Sequence, residues 1–264
     1  MQNKQVKIDL HTHSKASDGL LTPTELLTMA IANNIKVLSL TDHDTLLGIN
    51  EAIVYSKDKN ITFIPGIEFS VKTTQGSYHL LGYNIDHTYK PLLEKLQHLA
   101  TMRETRADRI VDDLQKHGFN ISREEVCVEC TEGAIGRPHI ARVLVKNGYA
   151  ENITEVFQKF LIPGTPGYVP KEKITLEDAI KLTYDAGGIP VIAHPHSLEF
   201  ENLDKFENFL KENIEYGIKG IEAYSSMHTL EECAEYVKLA KRYNLLITGG
   251  SDYHGDKDET IGYY

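Results

Sequence analysis

The chain reads as an α/β protein, a seven-stranded (β/α)7 barrel carrying a small inserted helical domain. Three observations lead there. Short apolar runs alternate with amphipathic helical stretches through most of the 264 residues, as parallel strands covered by helices require. The alternation stops between about 89 and 166, where the pattern is helical throughout, and then resumes. Polar, histidine-rich clusters begin where several of the strands end, the edge at which such barrels carry their active sites.

In chain order, Val6–Leu10 is a short apolar strand running into His11-Thr12-His13. Thr22-Pro23-Thr24-Glu25 starts a helix, with Thr22 as N-cap, Pro23 at the first helical position and Glu25 reaching back. That helix runs to about Asn33. Ile35–Leu40 is a strand ending at Thr41-Asp42-His43-Asp44, and a helix follows over 46–58. Thr62–Val71 is a third strand with Glu68 inside it, and Ser77–Asn84 a fourth containing His79. One helical pattern then runs from Leu92 through Leu114, and Gly118 stops it. Short helices follow near 122–128, 138–147 and 152–160, and Pro163–Gly167 reads as a loop or linker. Thr175 with Asp178 opens the next helix, and Ile189–Ala193 is a strand ending at His194-Pro195-His196. A helix near 202–213 leads to the strand Gly220–Tyr224. Thr229 with Glu232 caps another helix, and Leu245–Thr248 leads to Gly249-Gly250-Ser251-Asp252-Tyr253-His254. The expected organisation is a barrel of 1–88 and 167–264, with 89–166 capping its mouth.

Hydrophobic residues at 41 % and charged residues at 25 % fit a globular chain. The net charge of −10 disfavours sequence-independent binding to duplex DNA, which needs a basic face. The opening residues lack the apolar core of a signal peptide, and no run reaches the roughly 18 residues of a membrane span. Three cysteines are too few for a disulfide framework, and Cys127-x-x-Cys130 has no partner pair to complete a zinc site. These features point to a cytoplasmic protein. They leave the oligomeric state open.

The strand-end clusters hold His11, His13, Asp18, His43, Glu68, His79, His194, Asp252 and His254, with six of the chain's twelve histidines among them. Imidazole and carboxylate together suit Zn, Fe and Mn ions. An extended His-x-His sends both rings to one side, because side chains alternate along a strand, and Asp252-x-His254 repeats that geometry. Glu68 and His79 would face each other if 68–79 formed a hairpin turning at Thr73-Thr74. Each cluster alone has an ordinary explanation: a cap, a turn, a buried histidine. An apolar core gives no reason for nine such groups to gather at one rim, where unpaired carboxylates would be costly.

His11-Thr12-His13 with Ser17-Asp18-Gly19, Thr41-Asp42-His43-Asp44, Gly66-Ile67-Glu68, Ala193-His194-Pro195 and Gly250-Ser251-Asp252-Tyr253-His254 resemble the PHP superfamily over nearly the whole chain. These polymerase-and-histidinol-phosphatase domains are metal-dependent phosphoesterases on a distorted seven-stranded barrel. The resemblance implies a trinuclear centre: one ion on His11, His13, Glu68 and Asp252; a second on bridging Glu68, His79 and His194; a third on Asp18, His43 and His254. The helical insertion, Gly136–Arg142 and Gly167–Lys171 resemble the bacterial branch acting on nucleoside 3′,5′-bisphosphates and 5′ ends of short RNA.

The expected chemistry is phosphate-ester hydrolysis by a metal-bound hydroxide, with two or three Mn, Zn or Fe ions turning an acidic pocket positive. Arg137 offers a planar fork to a second phosphate, with His139, Lys171 and Tyr168 as further substrate contacts. Among the barrel residues, His43, Asp44, His196 and Asp252 are the catalytic candidates: His43 and Asp252 as ligands essential for turnover, His196 and Asp44 to orient ligands or protonate the leaving oxygen. Arg103, Arg106 and Arg109 form either a solvated face or, through Arg106, a contact for nucleic acid backbone. The alternatives are a phosphatase of histidinol phosphate or another small ester, a non-catalytic metal-binding scaffold, and an amide hydrolase on a related barrel.

Overall fold

The apolar strands bury one another by closing side by side. In the computed structural model, which describes residues 6–129, 136–256 and 259–262, they are β1 (Lys7–Asp9), β2 (Ile35–Leu40), β3 (Thr62–Val71), β4 (Tyr78–Tyr83), β5 (Ile189–Ile192), β6 (Gly220–Ser225) and β7 (Leu246–Gly250). They pair in sequence order in one sheet. Leu10 N–H donates to the Gly249 carbonyl at 3.2 Å, which brings the first strand against the last and makes the sheet a nearly closed barrel. Leu38, Leu40, Ile67, Leu81, Val191 and Ile221 are fully buried in it.

The all-parallel expectation needs correction at one strand. β1, β2 and β3 run parallel, as do β5, β6 and β7, but β4 is antiparallel to both of its neighbours. β3 and β4 are joined directly by a short loop, and a short connection only permits an antiparallel pair. The register also differs from the symmetric hairpin. Val71 faces Tyr78 and Ser70 faces His79, so Glu68 lies opposite Leu81. Residues 72–77 form a longer turn than a two-residue reversal at 73–74.

Helix starts follow the capping chemistry in the sequence. Thr22 Oγ1 accepts the Glu25 N–H at 3.2 Å while Glu25 Oε2 accepts the Thr22 N–H at 2.8 Å, opening α1 (Pro23–Ala32). α2 (Ile49–Ser56) begins later than expected, after Gly48.

The described chain divides into two compact units, 1–96 with 173–264, and 97–172. The helical pattern from Leu92 to Leu114 is two helices, α3 (Lys90–Glu104) and α4 (Arg106–Lys116). Thr101 and Thr105 hydroxyls bond back to the carbonyls four residues earlier, at 3.0 and 2.9 Å, a contact that bends helices. α5 (Arg123–Glu129), α6 (Arg137–Lys146) and α7 (Ile153–Phe160) complete this region. Ile110, Leu114, Val126, Ile140, Leu144, Val156 and Leu161 are the core of the helical unit.

In the barrel unit, α8 (Leu176–Asp185), α9 (Leu203–Tyr216) and α10 (Leu230–Arg242) precede β5, β6 and β7. Thr229 and Glu232 make the same reciprocal cap at α10, at 3.1 and 2.8 Å. Cys127 is exposed and Cys233 buried, both as free thiols; Cys130 lies outside the described residues. No helix of the described residues is long and apolar enough to cross a membrane.

Candidate metal centre

Glu68 occupies the middle of the site with no solvent exposure. Its Oε2 lies 3.3 Å from His11 Nε2, 3.3 Å from His13 Nε2 and 2.9 Å from His43 Nδ1. Its Oε1 lies 3.0 Å from His79 Nδ1 and 3.0 Å from His194 Nε2. β1, β2 and β5 deliver His11, His13, His43 and His194 from their C-terminal ends. His79 comes from the start of β4, because the reversed strand presents its N-terminal end at the same rim. Glu68 and His79 thus meet diagonally across the hairpin rather than directly opposite.

Asp252 Oδ1 stands 3.2 Å from His11 Nε2 and 3.0 Å from His13 Nε2. Asp18, from the loop after β1, stands 3.7 Å from His13, 3.7 Å from His43 and 3.5 Å from His254. The donor atoms fall into three sets, each within 4.8 Å: His11, His13, Glu68 and Asp252; His43, Glu68 and His79; His13, Asp18, His43 and His254. Two rings are shared, since His43 points Nδ1 at Glu68 and Nε2 at Asp18, and His13 joins both its neighbours' sets. His194 belongs to none of the three sets and reaches the centre through Glu68 Oε1.

The donor set fits divalent cations. His11 Nε2, His13 Nδ1, His43 Nδ1, His79 Nδ1 and Glu68 Oε2 are buried without a hydrogen-bond partner, though nearly all stand close to one another. Buried polar atoms are otherwise almost always paired, and converging lone pairs are what a cation satisfies. The groups also shift one another's titration. Burial alone would raise Glu68, but the imidazoles of His11, His43 and His79 hold it well below the usual carboxylate range. Burial would lower His11, yet Glu222, Asp252 and Glu68 push it well above the usual imidazole range. Bonding to Asp18 raises His254 to about 9.

Buried carboxylates behind these groups fix their backbones. Asp9 accepts N–H groups from Ser251 at 2.9 Å and Gly262 at 2.7 Å, and the Ser251 hydroxyl at 2.6 Å. Asp42 accepts the Ser14 N–H at 2.7 Å and the hydroxyls of Ser14 and Ser17 at 2.7 and 2.6 Å, which sets the loop carrying Asp18. Glu222 on β6 contacts His11 and His194. These three were not among the sequence candidates. Asp9 and Glu222 left a partial signal, an acid within an apolar strand, but which backbone groups they serve is seen only in the fold. Gly220-Ile221-Glu222 even repeats the tripeptide Gly66-Ile67-Glu68.

The remaining candidates are placed as follows. Asp44, at φ +51°, takes the Ser70 N–H on Oδ1 at 2.8 Å, so its carboxylate braces β3. His196 pairs through Nδ1 with Glu232 Oε1 at 2.7 Å. It lines a cavity of about 390 Å³ with Pro195, Phe200, Phe206 and Tyr236, to which none of the nine candidate ligands contributes. In the helical unit, Arg137 donates to the Leu161 carbonyl at 3.2 Å and stacks 5.4 Å over Phe157. His139 Nδ1 accepts the Gly136 N–H at 2.9 Å. Arg106 donates to the Val169 carbonyl at 2.9 Å, and burial, then Arg137 and Arg109, lower its pKa, with Tyr168 acting against them. Lys171 is exposed.

A family model described as PHP domain matches residues 9–164. A 3′,5′-nucleoside bisphosphate phosphatase of Chromobacterium violaceum is 34 % identical, covering 97 % of this chain and 90 % of that protein. A 5′-3′ exoribonuclease of Haemophilus influenzae is 35 % identical over 94 % of this chain and 90 % of its own. A solved structure from Chromobacterium violaceum, described as an amidohydrolase with bound sulfate and no metal, superposes with a TM-score of 0.74 at 34 % identity, covering 98 % of this chain and 90 % of that one.

Proposed function

This chain belongs to the PHP domain family, and from that premise we propose that it hydrolyses phosphate monoesters of nucleotides, as a metal-dependent phosphoesterase. The substrates are nucleoside 3′,5′-bisphosphates or the 5′ ends of short oligoribonucleotides, the chemistry named for two relatives that span almost the whole chain. One observation carries the reading: buried, unpartnered imidazole and carboxylate atoms converge around Glu68. Two or three Mn, Zn or Fe ions, held by His11, His13, Glu68 and Asp252, by Glu68, His79 and His43 or His194, and by Asp18, His254 and His43 or His13, would supply Lewis acidity and an acidified water.

The chain's own residues do the rest. Glu68 holds five imidazoles in register through two oxygens. Asp42 keeps the Asp18 loop folded over His13 and His43. Asp44 braces the strand carrying Glu68 through Ser70. His196, two residues after His194, is exposed and pairs with Glu232; it is the candidate proton donor to the leaving oxygen only if its ring turns from Glu232 toward the centre. Arg137, with Tyr168, His139 and Lys171, is assigned to the second phosphate and the nucleoside.

The test follows phosphate release from adenosine 3′,5′-bisphosphate and histidinol phosphate, phosphate or mononucleotide release from a 5′-phosphorylated oligoribonucleotide, and amine release from a panel of amides. Each is run with Mn2+ and after chelation. Turnover of the nucleotides that chelation abolishes supports the reading. Preference for histidinol phosphate removes the substrate assignment, and hydrolysis of amides alone favours the chemistry named for the similar solved structure. Activity on none, with cations bound, would indicate a scaffold.

A further inference from the structure

Glu222 lies inside the barrel on β6 with no solvent exposure, and its oxygens face no gathering of donor atoms. Among the described residues its side-chain hydrogen bonds are instead to candidate ligands. His11 Nδ1 is 3.0 Å from Oε1 and 3.1 Å from Oε2. Oε2 also accepts the backbone N–H of His194 at 2.8 Å. One carboxylate therefore binds the segments after β1 and after β5, which are otherwise far apart in the chain.

Both Glu222 oxygens lie within hydrogen-bond distance of His11 Nδ1, and a carboxylate oxygen accepts there. His11 must then keep its hydrogen on Nδ1, which leaves Nε2 as the coordinating atom. Nε2 is the atom that faces Glu68 and Asp252 at 3.3 and 3.2 Å and has no hydrogen-bond partner. We propose that Glu222 is a positioning residue of the metal centre: it fixes His11 in the Nδ1–H tautomer with Nε2 turned to the cation, and holds His194 against Glu68 from behind. The repeated Gly-Ile-Glu divides the labour. Glu68 faces the cations from β3, and Glu222 faces the back of a ligand from β6. Carboxylate partners of this kind orient metal-bound imidazoles, and losing one typically weakens metal binding about 10- to 100-fold.

The role rests on the metal reading, so the experiment separates the two. Mn2+ binding is measured by calorimetry on chelator-stripped wild type, Glu222→Gln and Glu222→Ala, together with the melting temperature of each stripped protein. The alanine variant should bind Mn2+ about 10- to 100-fold more weakly. The glutamine variant, which keeps a carbonyl acceptor for Nδ1–H, should recover part of that loss. In Zn2+-loaded wild type, long-range nitrogen NMR should show the His11 ring protonated at Nδ1 and metal-bound at Nε2, a readout that needs no variant to fold. An Nε2–H ring, or variants that melt lower yet bind Mn2+ as tightly as wild type, overturns the role of Glu222 alone. Wild type that takes up no cation overturns the metal reading, and this role with it.

Discussion

Gly250 closes the barrel where there is no room for a methyl group. A Cβ built there would stand 2.3 Å from His11 Cβ, 2.5 Å from its backbone nitrogen and 2.9 Å from its Cα. Ordinary contact begins at 3.4 Å, so the closest approach is short by about 1.1 Å. No side-chain rotation relieves this, since the atoms met are backbone and Cβ. That backbone is itself held, with the Asp252 N–H donating to the His11 carbonyl at 2.9 Å. In Gly250→Ala, β1 and β7 must separate, at an overpacking cost of about 1–3 kcal/mol. For a chain of this size that is a fall of about 2–12 °C in melting temperature, at roughly 2–4 °C per kcal/mol. The same shift moves His11, and misplacing a reacting group by about 1 Å costs on the order of a hundredfold in rate. Calorimetry on the stripped protein reads the first effect, and Mn2+-dependent phosphate release reads the second. Gly250→Ala melting within about 1 °C of wild type and retaining full turnover would refute the packing argument.

Asp252→Ala removes a carboxylate within 3.2 Å of both His11 and His13; turnover should fall more than about a hundredfold, beyond the loss from outer partners, with circular dichroism unchanged. Arg137→Ala should lose more activity on a nucleoside bisphosphate than on p-nitrophenyl phosphate, and equal losses would count against the second-phosphate role. It should also melt lower, because Leu161 and Phe157 lose a partner. His228 is buried with Nδ1 on the Ala223 carbonyl, and burial lowers its pKa below 6.5. The folded state thus favours the neutral ring. Its contribution is complete above pH 6.5 and is lost as pH falls below that value. His228→Asn should flatten the decline in melting temperature on the acid side, and an unchanged slope would exclude His228 as its source.

Residues carried by parallel strands were legible in the sequence. His11, His13, His43, His194, Asp252 and His254 follow the C-terminal ends of such strands, so one rule places them together. His79 broke that rule, because it begins a strand that runs the other way. Its meeting with Glu68 survived a register error of two residues, since a shift by two keeps a side chain on the same face. Glu222, Asp9 and Asp42 stayed hidden for another reason. They sit behind the site, and only the folded chain shows which backbone groups a buried acid serves. The sharing of His43 was equally out of reach, because period-two spacing assigns a ring to one side but not to two sets of donors.

The division of Glu68 explains why so acidic a chain gathers positive charge at one point. Its Oε2 serves His11, His13 and His43, and its Oε1 serves His79 and His194. Two groups of imidazoles therefore share one carboxylate, each drawing on its own oxygen. Burying a lone carboxylate at such a site would be costly; the imidazoles of His11, His43 and His79 act against that cost and lower the Glu68 pKa. Imidazoles are neutral as ligands, so they add cation affinity without adding anionic charge. Asp18, Glu68 and Asp252 bring three negative charges to the three donor sets, while each divalent ion brings two positive ones. Each divalent ion added would raise the charge at the rim by two, and filling the third set would extend that rise toward Asp18, the most exposed of the three acids. On a chain of net charge −10, cations held at this rim would be what draws a phosphate dianion to it.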